Sequence, residues 1–230
     1  MKKSKTSYAS LNKGEKIAGW IYLAFQIVLP WLFSWLNGLL SQPLDGGTLR
    51  FANYLVNFIG VVCIFHHFLR DSLTAAWRDL WNFVQAVVLG FVFCWAGIKL
   101  LDWLLSFVIS GYSPIVDTAV SDLLSSGYVL RLIGILLLAP VIEETLYRGL
   151  VFRSIWRKSK AAGYIISILV FAAVHTLGYI GTADIHTLAL CFVRYLPAGL
   201  VLAWTYSKAD NVFAPVLVHA AINAVTIGIF

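Results

Sequence analysis

The sequence predicts an all-α, polytopic membrane protein with about seven transmembrane helices, between six and eight, arranged around an intramembrane cavity. Three observations carry that prediction. Hydrophobic residues make up 60% of the 230 residues and charged residues only 12%, against about a quarter charged in an ordinary globular chain. The apolar residues gather into runs of about 20, the length that crosses a hydrocarbon core as helix. Glycine, proline and polar residues gather at the breaks between the runs. The net charge of +6 forms no stripe and carries no binding motif, so no nucleic-acid partner is expected. Membrane lipid is.

Residues 1–16 are polar and basic and read as a cytosolic tail; the integral membrane domain then runs over 17–230. The first span covers about 17–39, with Trp20, Trp31 and Trp35 as interface anchors and Pro30 as a kink. The second covers about 49–69 and ends at His66-His67. Leu73, Ala76, Trp77, Leu80 and Trp81 then recur at helical spacing among Arg70, Asp71, Arg78 and Asp79, the pattern of a short amphipathic helix at the interface. A third span follows at about 82–106, and the loop 108–128 is Ser- and Gly-rich, with Asp117 and Asp122. The fourth through seventh spans fall at about 129–151, 162–179, 188–206 and 212–229. Cys63, Cys94 and Cys191 lie inside apolar runs without CxxC spacing and read as small apolar fillers.

Placing the N-terminus in the cytosol puts Lys2, Lys3, Lys5, Lys13, Lys16, Arg70, Arg78, Arg153, Arg157, Lys158, Lys160 and Lys208 on the inner side and leaves Arg50 outside. A plasma-membrane location with that orientation is the expectation. Lys99, Arg131, Arg148 and Arg194 then lie within spans. Arg194 fits three roles: snorkelling, pairing with a carboxylate of the site, or touching a substrate terminus.

Charges that topology does not explain sit in the fourth span. Glu143, Glu144 and Arg148 follow an almost purely aliphatic stretch, Leu130–Leu138, at a depth where each costs at least ~2.5 kcal/mol unless paired or facing a polar cavity. Glu144 and Arg148 are four apart and share a helix face, whereas Glu143 is rotated by about 100°. One carboxylate is therefore neutralised in place while its neighbour points elsewhere. His175 lies on the fifth span, one turn after Phe171, and His219 lies one turn before Asn223 on the seventh. Counted from the cytosolic helix ends at ~1.5 Å per residue, these sites are expected to meet in one cavity opening to the cytosol. Pro140 and Pro215, each about a turn upstream of a candidate residue, are expected to kink their helices and free carbonyls.

A carboxylate and an imidazole in such a cavity can hold and deprotonate a water for attack on an amide carbonyl. An imidazole and a carboxamide on a facing helix can donate to the oxyanion that forms. The same residues also admit plainer readings: an ion pair tying two spans, or histidine and asparagine as interhelical hydrogen-bonding groups.

Glu143-Glu144-Thr145-Leu146-Tyr147-Arg148 matches EExxxR, Phe171 to His175 matches FxxxH, and His219 to Asn223 matches HxxxN, in that order on separate spans. The chain thereby resembles the CPBP family of intramembrane proteases, which includes type II CAAX prenyl endopeptidases and bacterial Abi proteins. The resemblance covers about 129–227. It implies an endopeptidase in which Glu143 and His175 activate water, His219 and Asn223 form the oxyanion hole, and Glu144 with Arg148 braces the site. The implied substrate is a membrane-associated or lipidated protein or peptide entering from the membrane or the cytosol, in CAAX-type processing, peptide maturation or bacteriocin self-immunity. Family members have been described as metal-dependent and as metal-free. No cofactor is favoured here, because Asn223 is an unusual fourth zinc ligand but a natural oxyanion donor; if zinc is used, Glu143, His175 and His219 would hold it. The rival readings are a catalytically silent scaffold that binds a partner, and a transporter, although no inverted repeat is evident.

Overall fold

The computed structural model describes residues 9–109, 112 and 128–228. Lys2, Lys3 and Lys5 of the expected tail, and Asp117 and Asp122 of the acidic loop, lie outside them. The described residues form seven helices and no strand. These are α1 (Lys13–Gly38), α2 (Gly46–Arg78), α3 (Leu80–Val108), α4 (128–156), α5 (Lys160–Leu177), α6 (Ile185–Ala209) and α7 (Phe213–Thr226). The helices α1, α2, α3, α5 and α6 are long and apolar enough to cross a membrane. Their outer faces carry exposed Trp20, Trp31, Trp35, Trp95 and Trp103, while Glu144 and Arg148 are fully buried. Apolar outside and charged inside is the arrangement of a helical integral membrane protein.

The helix α1 starts at Lys13, inside the expected tail, because Asn12 caps it. The Asn12 side chain accepts from the Glu15 amide at 2.8 Å and Glu15 Oε2 accepts from the Asn12 amide at 2.9 Å, a reciprocal box that satisfies two helix-end donors. The other oxygen of Glu15 accepts from the Phe68 amide at 2.9 Å, just past Phe65, where α2 leaves helical geometry. This changes the expected order of elements. No separate interfacial helix follows the second span; α2 bends at Phe65 and continues to Arg78. In that continuation Ser72, Ala75 and Ala76 face inward while Leu73 and Trp77 are exposed, as are Leu80 and Trp81 at the start of α3.

The central element is α4, which is not a plain α-helix. Two α-helical stretches, Tyr128–Ile133 and Ala139–Glu144, alternate with π-helical Gly134–Leu138 and Thr145–Phe152 before a last α turn, Arg153–Trp156. All eight residues of Thr145–Phe152 are buried, against Phe65 and Phe68 of α2, Phe171 of α5 and Leu202 of α6. The helices α5 and α6 pack closely, and a side chain on Gly199 would meet the backbone of Ile168 at 3.1 Å. Pro215 bends nothing, contrary to expectation. It occupies the first turn of α7, whose amides have no intrahelical acceptor in any case.

One end of the bundle collects Arg153, Arg157, Lys158, Lys160 and Lys208, at the close of α4 and α6 and the start of α5. It is sealed by packing: Arg153 Nη1 donates to Tyr206 Oη at 2.9 Å and to Asp210 Oδ1 at 3.1 Å. At the opposite end Arg194 of α6 meets Asp102 of α3 through Nε–Oδ1 at 3.0 Å and Nη2–Oδ2 at 3.3 Å, and Tyr112 Oη donates to the same carboxylate at 2.9 Å. Of the three roles open to Arg194, pairing is the one observed, with a carboxylate of α3 rather than one of α4.

Candidate active site

The α-helical turn between the two π stretches of α4 presents Glu143 and Glu144 in different directions, and each meets its own set of partners. Glu144 is fully buried. Its Oε1 accepts from Arg148 Nη1 at 2.8 Å, four residues on, and from His219 Nδ1 of α7 at 2.8 Å. Arg148 is held at three points: by Glu144, by the Gly199 carbonyl at 3.3 Å, and by the ring of Phe171, 4.3 Å from its guanidinium carbon. These contacts offset the cost of burying the charge pair, with Glu144 Oε2 and Arg148 Nε left without a hydrogen-bond partner.

Glu143 instead faces a cavity. Its Oε2 lies 3.3 Å from His175 Nε2 and 3.9 Å from His219 Nε2. The far nitrogens of both rings are committed. His175 Nδ1 lies 2.9 Å from the Phe171 carbonyl, which can only accept, so that nitrogen carries its hydrogen. His219 Nδ1 lies 2.8 Å from the Glu144 oxygen that also accepts from Arg148, so that nitrogen carries its hydrogen as well. Both rings therefore turn Nε2 toward Glu143. The His175 ring is further held between Phe171 and Tyr195, with ring centroids 4.2 and 4.5 Å away.

Asn223 joins this group through a defect in α4. Ala139 donates to the Gly134 carbonyl, five residues back, and the next amide in that register would serve Ile135. That residue is Pro140, which has no N–H. Asn223 Nδ2 donates to the orphaned Ile135 carbonyl at 3.0 Å, using one of its two N–H groups. The freed carbonyl expected at Pro140 is thus present, and it is filled by the other motif.

The structure brings Glu143, His175, His219 and Asn223 onto one cavity of about 280 Å³, with Tyr54 and Arg194 among its other walls. His66 and His67 stack on each other, ring centroids 3.9 Å apart, on the exposed flank of α2, and do not line it. The sequence expects the cavity to open on the side of the basic cluster, yet none of Arg153, Arg157, Lys158, Lys160 and Lys208 lines it. Its walls run from Glu143 past Tyr179, Arg194 and Ile227, toward the end opposite the basic cluster, because the buried Thr145–Phe152 stretch fills the space on the basic side. Tyr195 and Tyr54 had no motif to mark them. Asp102 could have been found: an intramembrane acid and an intramembrane arginine on different spans are natural partners.

The three acceptor atoms of Glu143, His175 and His219 lie within 4.8 Å of one another. Two histidine nitrogens and a carboxylate with an open side fit a zinc ion, and fit equally a water molecule held between base and imidazole.

Residues 125–225 match the family model described as type II CAAX prenyl endopeptidase, Rce1-like. That stretch contains all three motifs, so the resemblance they carry holds for this part of the chain. The UPF0177 protein YxdF of Lactococcus lactis subsp. lactis is 33% identical over 110 residues, 46% of this chain and 54% of that protein. The UPF0177 protein YbdI of the same organism is 29% identical over 143 residues, 54% of this chain and 72% of its own. An uncharacterized 24.3 kDa protein of Escherichia coli is 31% identical over 119 residues, 50% of each chain. The match to YxdF thus spans about half the length of that relative. No solved structure matches.

Proposed function

From the Rce1-like family match over residues 125–225, we propose that the protein is an intramembrane endopeptidase that hydrolyses a peptide bond of a membrane-associated or lipidated protein or peptide. The observation that carries this reading is the pair of imidazole Nε2 atoms turned toward one carboxylate oxygen at 3.3 and 3.9 Å. Glu143 and His175 hold a water and Glu143 takes its proton as the oxygen attacks the carbonyl carbon. The remaining N–H of Asn223 and the Nε2 edge of His219 face the oxyanion, and Nε2 donates to it when that nitrogen carries a hydrogen as well as Nδ1. Glu143 then returns the proton to the nitrogen as the C–N bond breaks, leaving a carboxylic acid and an amine. Glu144 and Arg148 hold His219 and the helix in place.

Catalysis without a resident metal is the preferred form. In the other form Glu143, His175 and His219 hold zinc, which would supply a Lewis acid and lower the pKa of the attacking water. Orientation in a bacterial plasma membrane with the N-terminus in the cytosol follows from the basic loops. The cavity then faces the outer half of the bilayer, which suits exported peptides, leaders or membrane anchors; a role in bacteriocin self-immunity is compatible with such a substrate. The second reading, a scaffold that binds a partner without cleavage, predicts that Glu143 is dispensable.

The test is to express wild type, Glu143→Ala and His175→Ala and follow exported and membrane-anchored peptides by mass spectrometry. Cleavage products present only with wild type are expected. Unchanged processing by Glu143→Ala sinks the proposal. Activity retained in chelator after metal stripping supports the metal-free form, and loss restored by zinc replaces it with the metal-dependent one.

A further inference from the structure

Glu143 also lines a second chamber, of about 590 Å³, enclosed by α1, α2, α4 and α5. Its walls include Gln26 and Pro30 of α1, Asn53 of α2 and Val174 of α5. At its rim Trp31, Ile27 and Ile180 are 65%, 44% and 61% exposed. An opening bordered by exposed apolar side chains on the flank of the bundle faces hydrocarbon rather than water.

Two amide side chains inside have hydrogen-bonding capacity to spare. Gln26 spends its Nε2 on Tyr147 Oη at 3.1 Å, while its Oε1 is buried without a partner. Asn53 Oδ1 accepts from Asn57 Nδ2 at 2.6 Å, and Asn53 Nδ2 has no partner among the described residues. One unspent acceptor, covered at the wall, and one unspent donor thus border a mostly apolar chamber, with Asn57 and Tyr54 as its other polar walls, that ends at Glu143. A prenyl or acyl chain would satisfy neither, and an intact helix has already paired its backbone groups internally. An extended peptide has free N–H and C=O groups that match both.

We propose that this chamber binds an extended, non-helical stretch of a membrane-embedded peptide, its backbone N–H donating to Gln26 Oε1 once that side chain turns into the chamber and its backbone C=O accepting from Asn53 Nδ2, and leads that stretch to Glu143. The inference rests on the peptidase reading for its direction, but its binding step is separable from cleavage. Gln26 and Asn53 lie outside residues 125–225, so α1 and α2 supply selectivity that the matched region does not contain. The site selects substrates whose membrane segment is already broken, by glycine or proline, near the bond to be cut.

The probes are two synthetic 24-residue Leu/Ala peptides with lysine ends, one uninterrupted and one carrying a central Gly-Pro-Gly-Gly. Binding is read by energy transfer from a dye on the peptide to one on the full chain, in nanodiscs of phosphatidylcholine and phosphatidylglycerol. All proteins carry Glu143→Gln, so that neither cleavage nor its absence affects the readout. The interrupted peptide should bind at least about tenfold tighter, and Gln26→Leu or Asn53→Leu should each weaken it about five- to tenfold, the scale of one lost buried hydrogen bond. Ile180→Trp, at the exposed rim, should block binding while touching neither amide, which guards against a folding defect in the other two. Equal binding of the two peptides, or full binding by the amide variants, overturns the inference, as does farnesol displacing the interrupted peptide equally from Glu143→Gln chambers with and without Gln26→Leu. The peptidase reading fails on a different measurement, cleavage that survives Glu143→Ala.

Discussion

The two sides of α4 at Glu143 and Glu144 differ more than any two distant parts of the molecule. Glu144 has no exposed surface and a partner on each of two helices, Arg148 on its own and His219 on α7. Glu143, the preceding residue, is 19% exposed at its side chain, into a cavity, although each of the two carboxylates keeps an Oε2 without a hydrogen-bond partner. Composition is identical on the two sides, and so is depth. What separates them is the 100° turn between consecutive helix positions, which gives one carboxylate to packing and turns the other toward the cavity. A membrane helix can carry a reactive acid if a second acid, neutralised in place, anchors the helix beside it.

The comparison breaks most directly by removing each charge in turn. Glu143→Gln should reduce cleavage at least ~100-fold, the scale of lost general-base catalysis, with thermal unfolding in detergent unchanged. Glu144→Gln should lower stability by about 3–5 kcal/mol, because it leaves the Arg148 charge buried without its counter-charge; activity falls with the fold. If Glu143→Gln unfolds the protein and Glu144→Gln leaves it stable, the two roles are reversed.

Arg148→Lys sharpens the same contrast at a smaller scale. Lysine keeps the charge near Glu144 but has no planar fork to reach the Gly199 carbonyl at 3.3 Å or to stack over Phe171 at 4.3 Å. Stability should fall by about 1–3 kcal/mol, measured by the same thermal unfolding, and activity should fall less than in Glu143→Gln.

How much of this was legible in the sequence follows from how local each signal is. The spans were, to within about five residues except at the end of α2, which runs to Arg78 rather than about 69, because a ~20-residue apolar run declares itself; the ends moved where a cap acts, as Asn12 does by starting α1 at Lys13. The Glu144–Arg148 pair was legible from its spacing alone. The bend at Phe65 was not, since no proline or glycine marks it and the group that meets the Phe68 amide, Glu15, is 53 residues away. The direction of the cavity was not either, because it depends on which side of the site is packed solid, a property of the whole core around Thr145–Phe152. Arg194 was visible as an anomaly, but its partner Asp102 sits 92 residues earlier.

Asn223 belongs to both sides of the comparison and provides the smallest and most discriminating test. Its Nδ2 fills the Ile135 carbonyl that Pro140 leaves open, a structural task, while its second N–H is proposed to face the oxyanion. Asn223→Ala should therefore cost about 1–3 kcal/mol of stability by orphaning a buried acceptor, and should also lower turnover. Pro140→Ala restores a backbone N–H at the position that serves Ile135, so the double variant Pro140→Ala/Asn223→Ala should recover the lost stability in thermal unfolding. Turnover should not recover, since nothing replaces the amide at the oxyanion. Should the double variant regain both, Asn223 only repairs the helix, and the oxyanion would have to be met by His219 alone.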